Sequence, residues 1–167
     1  MLLKTAGEKP QEIGKRLVGF ALDPADIEAA TDELSSTIPV DKSTVEYELR
    51  FLRVFAVDFG ITLGLRGKQK EKEIISAFYF RTLNSFIGDL PGELKARFET
   101  EIESKFDSYG LILKANAADD SFRAIGELFS NHCGVTDSNR LTEYGMEQFI
   151  TTANGVSEYL KNIGITA

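Results

Sequence analysis

The sequence has no tryptophan, only four prolines, a single cysteine, Cys133, and a single histidine, His132. One cysteine cannot form a disulfide within the chain, and the several Cys and His ligands of a structural zinc site are missing. We therefore predict no metal site and no cofactor. A lone thiol and a lone imidazole also fit a reducing compartment, so we expect a cytoplasmic protein.

Positive charge and long apolar runs are scarce as well. Lysine and arginine number 19 against 26 aspartate and glutamate residues, which leaves a net charge of −7. Nucleic-acid binding needs clustered cations that replace phosphate counterions, so we expect no nucleic-acid partner. The longest apolar stretch, residues 54–65, is interrupted by Asp58 and is too short to span a bilayer. The first residues show no signal-peptide pattern, and we expect no membrane association.

Helical periodicity is what the sequence has in abundance, and residues 43–65 show it most clearly. Their apolar residues recur every three or four positions, which places them on one face of a helix. These residues are Val45, Leu49, Leu52, Ala56, Phe59 and Leu63. After Arg53 the remaining faces turn apolar too, as in a helix that neighbouring helices enclose. We therefore predict a central buried helix over residues 43–65.

The rest of the chain shows further helical segments and no pattern of strands or repeats. Helices are predicted over residues 11–22, 25–36, 69–88, 93–116 and 121–132, with caps at Asp119-Asp120 for the last of these. A final segment begins at Asp137 or Ser138, and Gly145 and Gly155 leave open whether it forms one helix or two. The prediction is an all-α fold with a loose tail at residues 1–10 and a single domain at residues 11–167. In that domain five to seven mostly antiparallel helices surround the central one.

Two short motifs lie inside the predicted central helix. Asp58-Phe59-Gly60 spells the tripeptide that holds magnesium in protein kinases, but the other kinase motifs are missing and the chain is too short. Gly60 and Gly64 share one helix face. Small residues at this spacing predict the close approach of a neighbouring helix.

Asp58 is the most informative residue of the central helix. A carboxylate among apolar neighbours loses its hydration and needs a partner, and we predict Arg81 on the fourth helix. One interpretation is a buried ion pair that fixes the register of the helices. The alternative is a Phe-lined pocket between the central and fourth helices that binds a small apolar ligand with one polar group. The ligand-binding residues would be Asp58, Arg81, Tyr79 and Phe55.

A basic run at residues 66–72 ends the central helix. Its glycine spacing does not match a phosphate-binding loop. The simplest interpretation is a solvated turn whose cations favour the carboxyl end of the helix. The alternative is that Arg66 and Lys68 bind an anion near the start of the next helix.

No group of residues forms a catalytic site in the sequence. His132 and Cys133 are adjacent, and adjacent side chains on a helix do not face each other. A buried and unreactive thiol is the favoured interpretation of Cys133, and no catalytic residue is predicted.

Three functional hypotheses remain. The first is a non-catalytic cytoplasmic module for interaction or assembly, whose partner is another protein or a second copy of the chain. The second is the binder of a small apolar ligand described above. The third is an enzyme that uses Asp58 or Glu48 as a base, which the missing catalytic group disfavours.

Overall fold

The computed structural model describes residues 7–115 and 118–165, and the elements of this part are seven helices and no strand. The helices are α1 (Pro10–Leu22), α2 (Pro24–Ser35), α3 (Lys42–Gly64), α4 (Gln69–Gly88), α5 (Gly92–Ala115), α6 (Ala118–His132) and α7 (Asn139–Asn162). One isolated bridge pairs Glu8 with Ile165. The predicted all-α bundle is confirmed.

Helix α3 is the centre of the bundle, because it contacts each of the other six described helices. Its residues are buried almost continuously from Val45 to Ile61, as the sequence predicted. Asp41 caps its start and accepts a hydrogen bond from the Thr44 N–H at 2.9 Å. The Glu46 carboxylate, in the first turns of the helix, accepts from the Thr31 hydroxyl of α2 at 3.3 Å.

The core divides into two clusters that share α3. The first joins α1, α4, α5 and α7 to α3 through residues such as Ile13, Phe51, Tyr79, Phe98 and Val156. The second joins α2, α5, α6 and α7 to α3 through residues such as Ile27, Leu49, Phe55, Phe129 and Phe149. A helix that contributes to both clusters has little surface left for water, which explains its apolar composition.

Helix α7 packs closely along the later turns of α3. A Cβ atom added to Gly60 would lie 2.7 Å from the carbonyl oxygen of Ala153, and one added to Gly64 would lie 2.9 Å from that of Ser157. The predicted close approach at this glycine pair is therefore confirmed. Helix α7 is continuous, which answers the question of one helix or two, and Ser138 caps its start by accepting from the Leu141 N–H at 3.2 Å.

The residues before α1 contact those after α7. The Glu8 N–H donates to the Gly164 carbonyl at 2.7 Å, and the Glu8 carboxylate accepts from the Tyr159 hydroxyl at 3.0 Å and the Arg16 guanidinium at 3.1 Å. Residues 1–6 of the predicted tail, and residue 116 of the predicted fifth helix, lie outside the described residues. The caps predicted at Asp119 and Asp120 are wrong, since both residues lie inside α6.

Candidate functional site

Two apolar recesses flank α1. One lies between α1 and α7, has a volume of about 280 Å³ and is lined by Arg16, Leu17, Phe20, Gly155, Val156 and Tyr159. The other reaches α4, has a volume of about 510 Å³ and is lined by Lys15, Val18, Gly19, Leu22, Asp23, Pro24, Thr82, Ser85 and Phe86. We call these recesses, with the rings of Phe20 and Phe86 beside them, the α1 face.

The sequence produces the α1 face by placing small residues beside large ones. A Cβ atom added to Gly19 would meet no other atom within 4 Å, and one added to Gly155 would meet only the Phe20 ring, at 3.6 Å. Phe20 and Phe86 are each 40% exposed. The buried residues of α4 recur every four positions, and Phe86 lies at the edge of the face that they form.

Phe20 is held in position by Arg53, which is only 5% exposed. The Arg53 guanidinium donates to the Phe20 carbonyl oxygen at 2.7 Å and lies 5.5 Å from the centre of the Phe20 ring. The Asp26 carboxylate is 3.8 Å away, and it partly offsets the lowering of the Arg53 pKa that burial causes. The ring is therefore supported from beneath while its outer edge faces solvent.

The structure does not bring Asp58 and Arg81 together. The Arg81 guanidinium lies 5.1 Å from the centre of the Phe78 ring, and no ion pair within residues 7–115 and 118–165 joins it to Asp58. The predicted ion pair is wrong because Arg81 follows the inward-facing Tyr79 by two positions, which turns it to the opposite side of α4. Burial raises the pKa of Asp58, and the charge of Lys72 partly lowers it.

Tyr79 and Phe55, the other two predicted ligand-binding residues, lie in different core clusters. Tyr79 is fully buried, and its hydroxyl donates to the Val54 carbonyl at 2.9 Å. Phe55 is 6% exposed and stacks on Tyr109 and Phe149, with ring centres 5.3 and 5.9 Å away. As a ligand site these residues stay a prediction, although Tyr79 and Phe55 lie in different clusters and Arg81 lies apart from Asp58.

Arg66 and Lys68 lie in the connection between α3 and α4, and both are exposed. Gly67 turns the chain between them with a φ angle of 82°, in the left-handed region that glycine adopts readily. Lys68 occupies the position before α4 and makes no side-chain cap. Anion binding by these two residues stays a prediction.

A second site that combines buried charge with an opening to solvent lies where α3, α5 and α6 meet. Glu48 is 6% exposed, and its Oε2 accepts a hydrogen bond from the Lys105 ammonium at 2.7 Å. The Nδ1 of His132 is 3.7 Å from the same oxygen and 3.5 Å from the Tyr109 hydroxyl. We call these four residues the Glu48 cluster.

Burial controls the charges of the Glu48 cluster. Burial raises the pKa of Glu48, and the bond from Lys105 acts in the opposite direction. Burial also lowers the pKa of His132 to about 4, with a further lowering from the charge of Lys105. The imidazole is therefore neutral at pH 7, so the counterion of Glu48 is Lys105 and not His132.

Cys133, the residue after His132 in the sequence, is buried. Burial, with a smaller contribution from Glu48, raises its thiol pKa to about 12. A protonated thiol is a poor nucleophile, which supports the interpretation of Cys133 as unreactive. In the described parts of the chain, no group of three or more His, Cys, Asp or Glu side chains could hold a metal ion.

The sequence-based predictions did not include the burial of Lys105 and Arg53, whose side chains are 14% and 6% exposed. A signal was present, because each occupies a position three or four residues from apolar stripe members on its own helix. Lys105 stands between Ile102 and Tyr109, and Arg53 between Leu49 and Ala56. A charge on the buried side of an amphipathic helix marks a side chain that needs a partner.

None of the described helices is both long enough and apolar enough to cross a membrane. No protein-family model matches the chain, and no curated protein and no solved structure is detectably similar to it.

Proposed function

We propose that the chain is a non-catalytic helical assembly module that associates with a second copy of itself through the α1 face. The observation that carries this proposal is the pair of rings, Phe20 and Phe86, each 40% exposed beside an apolar recess. Covering apolar surface contributes roughly 25 cal/mol per Å². Apolar surface that one chain leaves open is typical of a contact with another.

The shape of the α1 face favours a second copy as the occupant. In a twofold dimer both copies use the same surface, so that surface must complement itself. The α1 face has protruding rings next to hollows, and a ring of one copy fits a hollow of the other. An apolar cavity of about 150 Å³ admits benzene, and the recesses, at about 280 and about 510 Å³, are larger.

The distribution of charge favours the same contact. The chain carries a net charge of −7, and its helix α2 exposes Asp26, Glu28, Asp32 and Glu33. The ridge of α1 instead carries Lys15 and Arg16, one beside each recess. Contact through α1 therefore brings surfaces of mixed sign together.

The proposal assigns no reaction and a cytoplasmic location. The Glu48 carboxylate, one of the two candidate bases, is bonded to Lys105 at 2.7 Å. The thiol of Cys133 is protonated, as described above. An unpaired cysteine in the core fits a reducing compartment.

Sedimentation velocity over a concentration series tests the proposal. The variant Phe20→Ser/Phe86→Ser removes both rings from the α1 face. The control Ile74→Ser/Leu111→Ser makes the same kind of change at side chains that are 44% and 65% exposed and line neither recess. Because each substitution appears twice in a twofold interface, we expect the first variant to raise the dimer dissociation constant at least 100-fold.

The control variant is expected to sediment as the natural chain does. A natural chain that stays monomeric at several hundred micromolar would refute the proposal. Equal weakening of the dimer by both variants would place the contact elsewhere on the surface.

A further inference from the structure

A cavity of about 440 Å³ opens beside the Glu48 cluster, on the side of the bundle where α3, α5 and α6 meet. Glu48 and His132 form its inner wall, Tyr47 and Leu94 supply apolar surface, and Arg50 and Arg97 stand among its lining residues. It shares no lining residue with the two recesses of the α1 face. A ligand in this cavity would therefore leave the surface proposed for self-association uncovered.

The carboxylates that line this cavity already have partners. Glu48 accepts from the Lys105 ammonium at 2.7 Å. Glu46 accepts from the Thr31 hydroxyl at 3.3 Å and has the Lys42 ammonium at 3.7 Å. A cationic ligand would have to displace these cations, so the acidic residues do not form a free site for one.

The hydroxyl groups at the edge of the cavity are engaged as well. Ser43 and Thr44 both donate to the Asp41 carboxylate, at 2.9 and 2.5 Å. The Tyr47 hydroxyl donates to the Glu101 carboxylate at 3.1 Å. These bonds fix the wall of the cavity and leave few neutral donors for a ligand.

The guanidinium groups of Arg50 and Arg97 differ from these carboxylates and hydroxyls because they have no ion-pair partner among the described residues. Within the described residues, no carboxylate lies within ion-pair distance of Arg50 or Arg97. The Arg97 guanidinium lies over the Tyr47 ring, with its carbon 4.4 Å from the ring centre. A contact with the face of a ring holds the cation in place without using its N–H donors.

We propose that this cavity binds a small organic oxyanion, held by Arg50 and Arg97, with the apolar body of the ligand against Leu94 and Tyr47. Guanidinium groups match carboxylate and phosphate oxygens through paired, charge-assisted hydrogen bonds. Lys105 is committed to Glu48, and His132 is neutral at pH 7, so the two arginines supply the positive charge. An apolar wall next to two cations suits a ligand that joins an anionic group to a ring or a short hydrocarbon.

The probes for this site are benzoate, phenyl phosphate and inorganic phosphate, titrated into the natural chain while its amide NMR spectrum is recorded. We expect the two aromatic anions to bind, to shift signals around residues 43–50, 94–97 and 132, and to bind at least tenfold more tightly than inorganic phosphate. The benzoate and phenyl phosphate titrations distinguish a preference for carboxylate from one for phosphate. Affinity should fall as salt is added, because both cations are near the surface.

Three variants locate the binding. Arg97→Gln and Arg50→Gln each remove one cation of the cavity, and each is expected to weaken binding at least tenfold. Arg140→Gln removes an exposed cation at the start of α7 that does not line the cavity, and it is expected to leave the affinity unchanged. All three changes are at exposed or half-exposed positions, so the fold does not depend on them.

Either of two results would overturn the proposal. One is the absence of any shift from the aromatic anions up to tens of millimolar. The other is binding that Arg50→Gln and Arg97→Gln both leave unchanged, which would place the site outside this cavity.

Discussion

The α1 face and the Glu48 cluster lie in different parts of the bundle. They differ in whether the chain itself supplies a partner for their side chains. At the Glu48 cluster, a carboxylate that is 6% exposed has an ammonium partner at 2.7 Å. At the α1 face, two phenylalanine rings remain 40% exposed beside apolar recesses that nothing in the described chain fills. The chain's own residues pair the charge of the first region, and they leave the apolar surface of the second uncovered.

This difference separates stability from association. A buried ion pair that loses one partner leaves an uncompensated charge, so a change at the Glu48 cluster should act on folding. A ring that is 40% exposed contributes less to the fold than a fully buried one, so a change at the α1 face should act mainly on the contact between chains. A substitution at the Glu48 cluster should therefore change the free energy of unfolding, and one at the α1 face should change the dimer dissociation constant.

Lys105→Met should produce the largest effect on stability. It leaves the Glu48 carboxylate buried without its counterion, since the two side chains are only 14% and 7% exposed. We expect the free energy of unfolding to fall by about 3 kcal/mol in urea denaturation at pH 7. Lys95→Met is the matched control on α5, where the ion pair with Glu99 is long, at 4.0 Å, and exposed. It should change stability by less than about 0.5 kcal/mol.

The double variant Glu48→Leu/Lys105→Met sharpens the same comparison. Replacing both members of a buried pair by apolar residues is often neutral, so we expect it to recover most of the loss. A single Lys105→Met variant that is as stable as its control would show that the pair contributes nothing to the fold.

The next largest effect should be a loss of stability at acidic pH that comes from protonation of His132. Burial lowers the imidazole pKa of His132 from its ordinary 6.5 to about 4 in the folded chain. Between these values the unfolded chain binds a proton that the folded chain does not, so the contribution to stability is complete above pH 6.5 and is lost as the pH falls towards 4. The variant His132→Gln should lose less stability over this range.

His132 is the only histidine in the sequence, so its titration can be read directly from the imidazole signals in an NMR spectrum. We expect a midpoint near 4 in the natural chain. A midpoint near 6.5 would mean that the ring is solvated and that the Glu48 cluster is more open than described here.

Asp58→Asn should produce the smallest effect, and in the opposite direction. Burial raises the pKa of Asp58, so its charged form disfavours the folded state once the pH exceeds that raised value. The amide should therefore raise the free energy of unfolding at pH 7 by about 1 kcal/mol or less. Asp107→Asn, at an exposed position of α5, is the control and should change nothing measurable. A clear loss of stability in Asp58→Asn would show that the carboxylate makes a favourable contact.

The sequence was sufficient to predict the helices and the central position of α3. A spacing of three and four residues fixes which side chains share a face, and Gly60 with Gly64 marked the side that another helix approaches. These are local properties of one segment, and the structure confirms them.

The sequence was not sufficient to predict which charges meet. Glu48 and Lys105 are 57 residues apart, and periodicity shows that each faces inward but not that α5 lies beside α3. The same gap explains the choice of Arg81 as the partner of Asp58, because the rotation of α4 about its axis was unknown. The exposure of Phe86, next to the buried Ile87, depends on the same rotation of α4.

Native mass spectrometry of the natural chain, over a range of concentrations, tests the proposed self-association most directly. We predict a species of twice the 18.5 kDa chain mass that Phe20→Ser/Phe86→Ser converts to the single mass. The single mass at every concentration, with or without the two phenylalanines, would contradict the account.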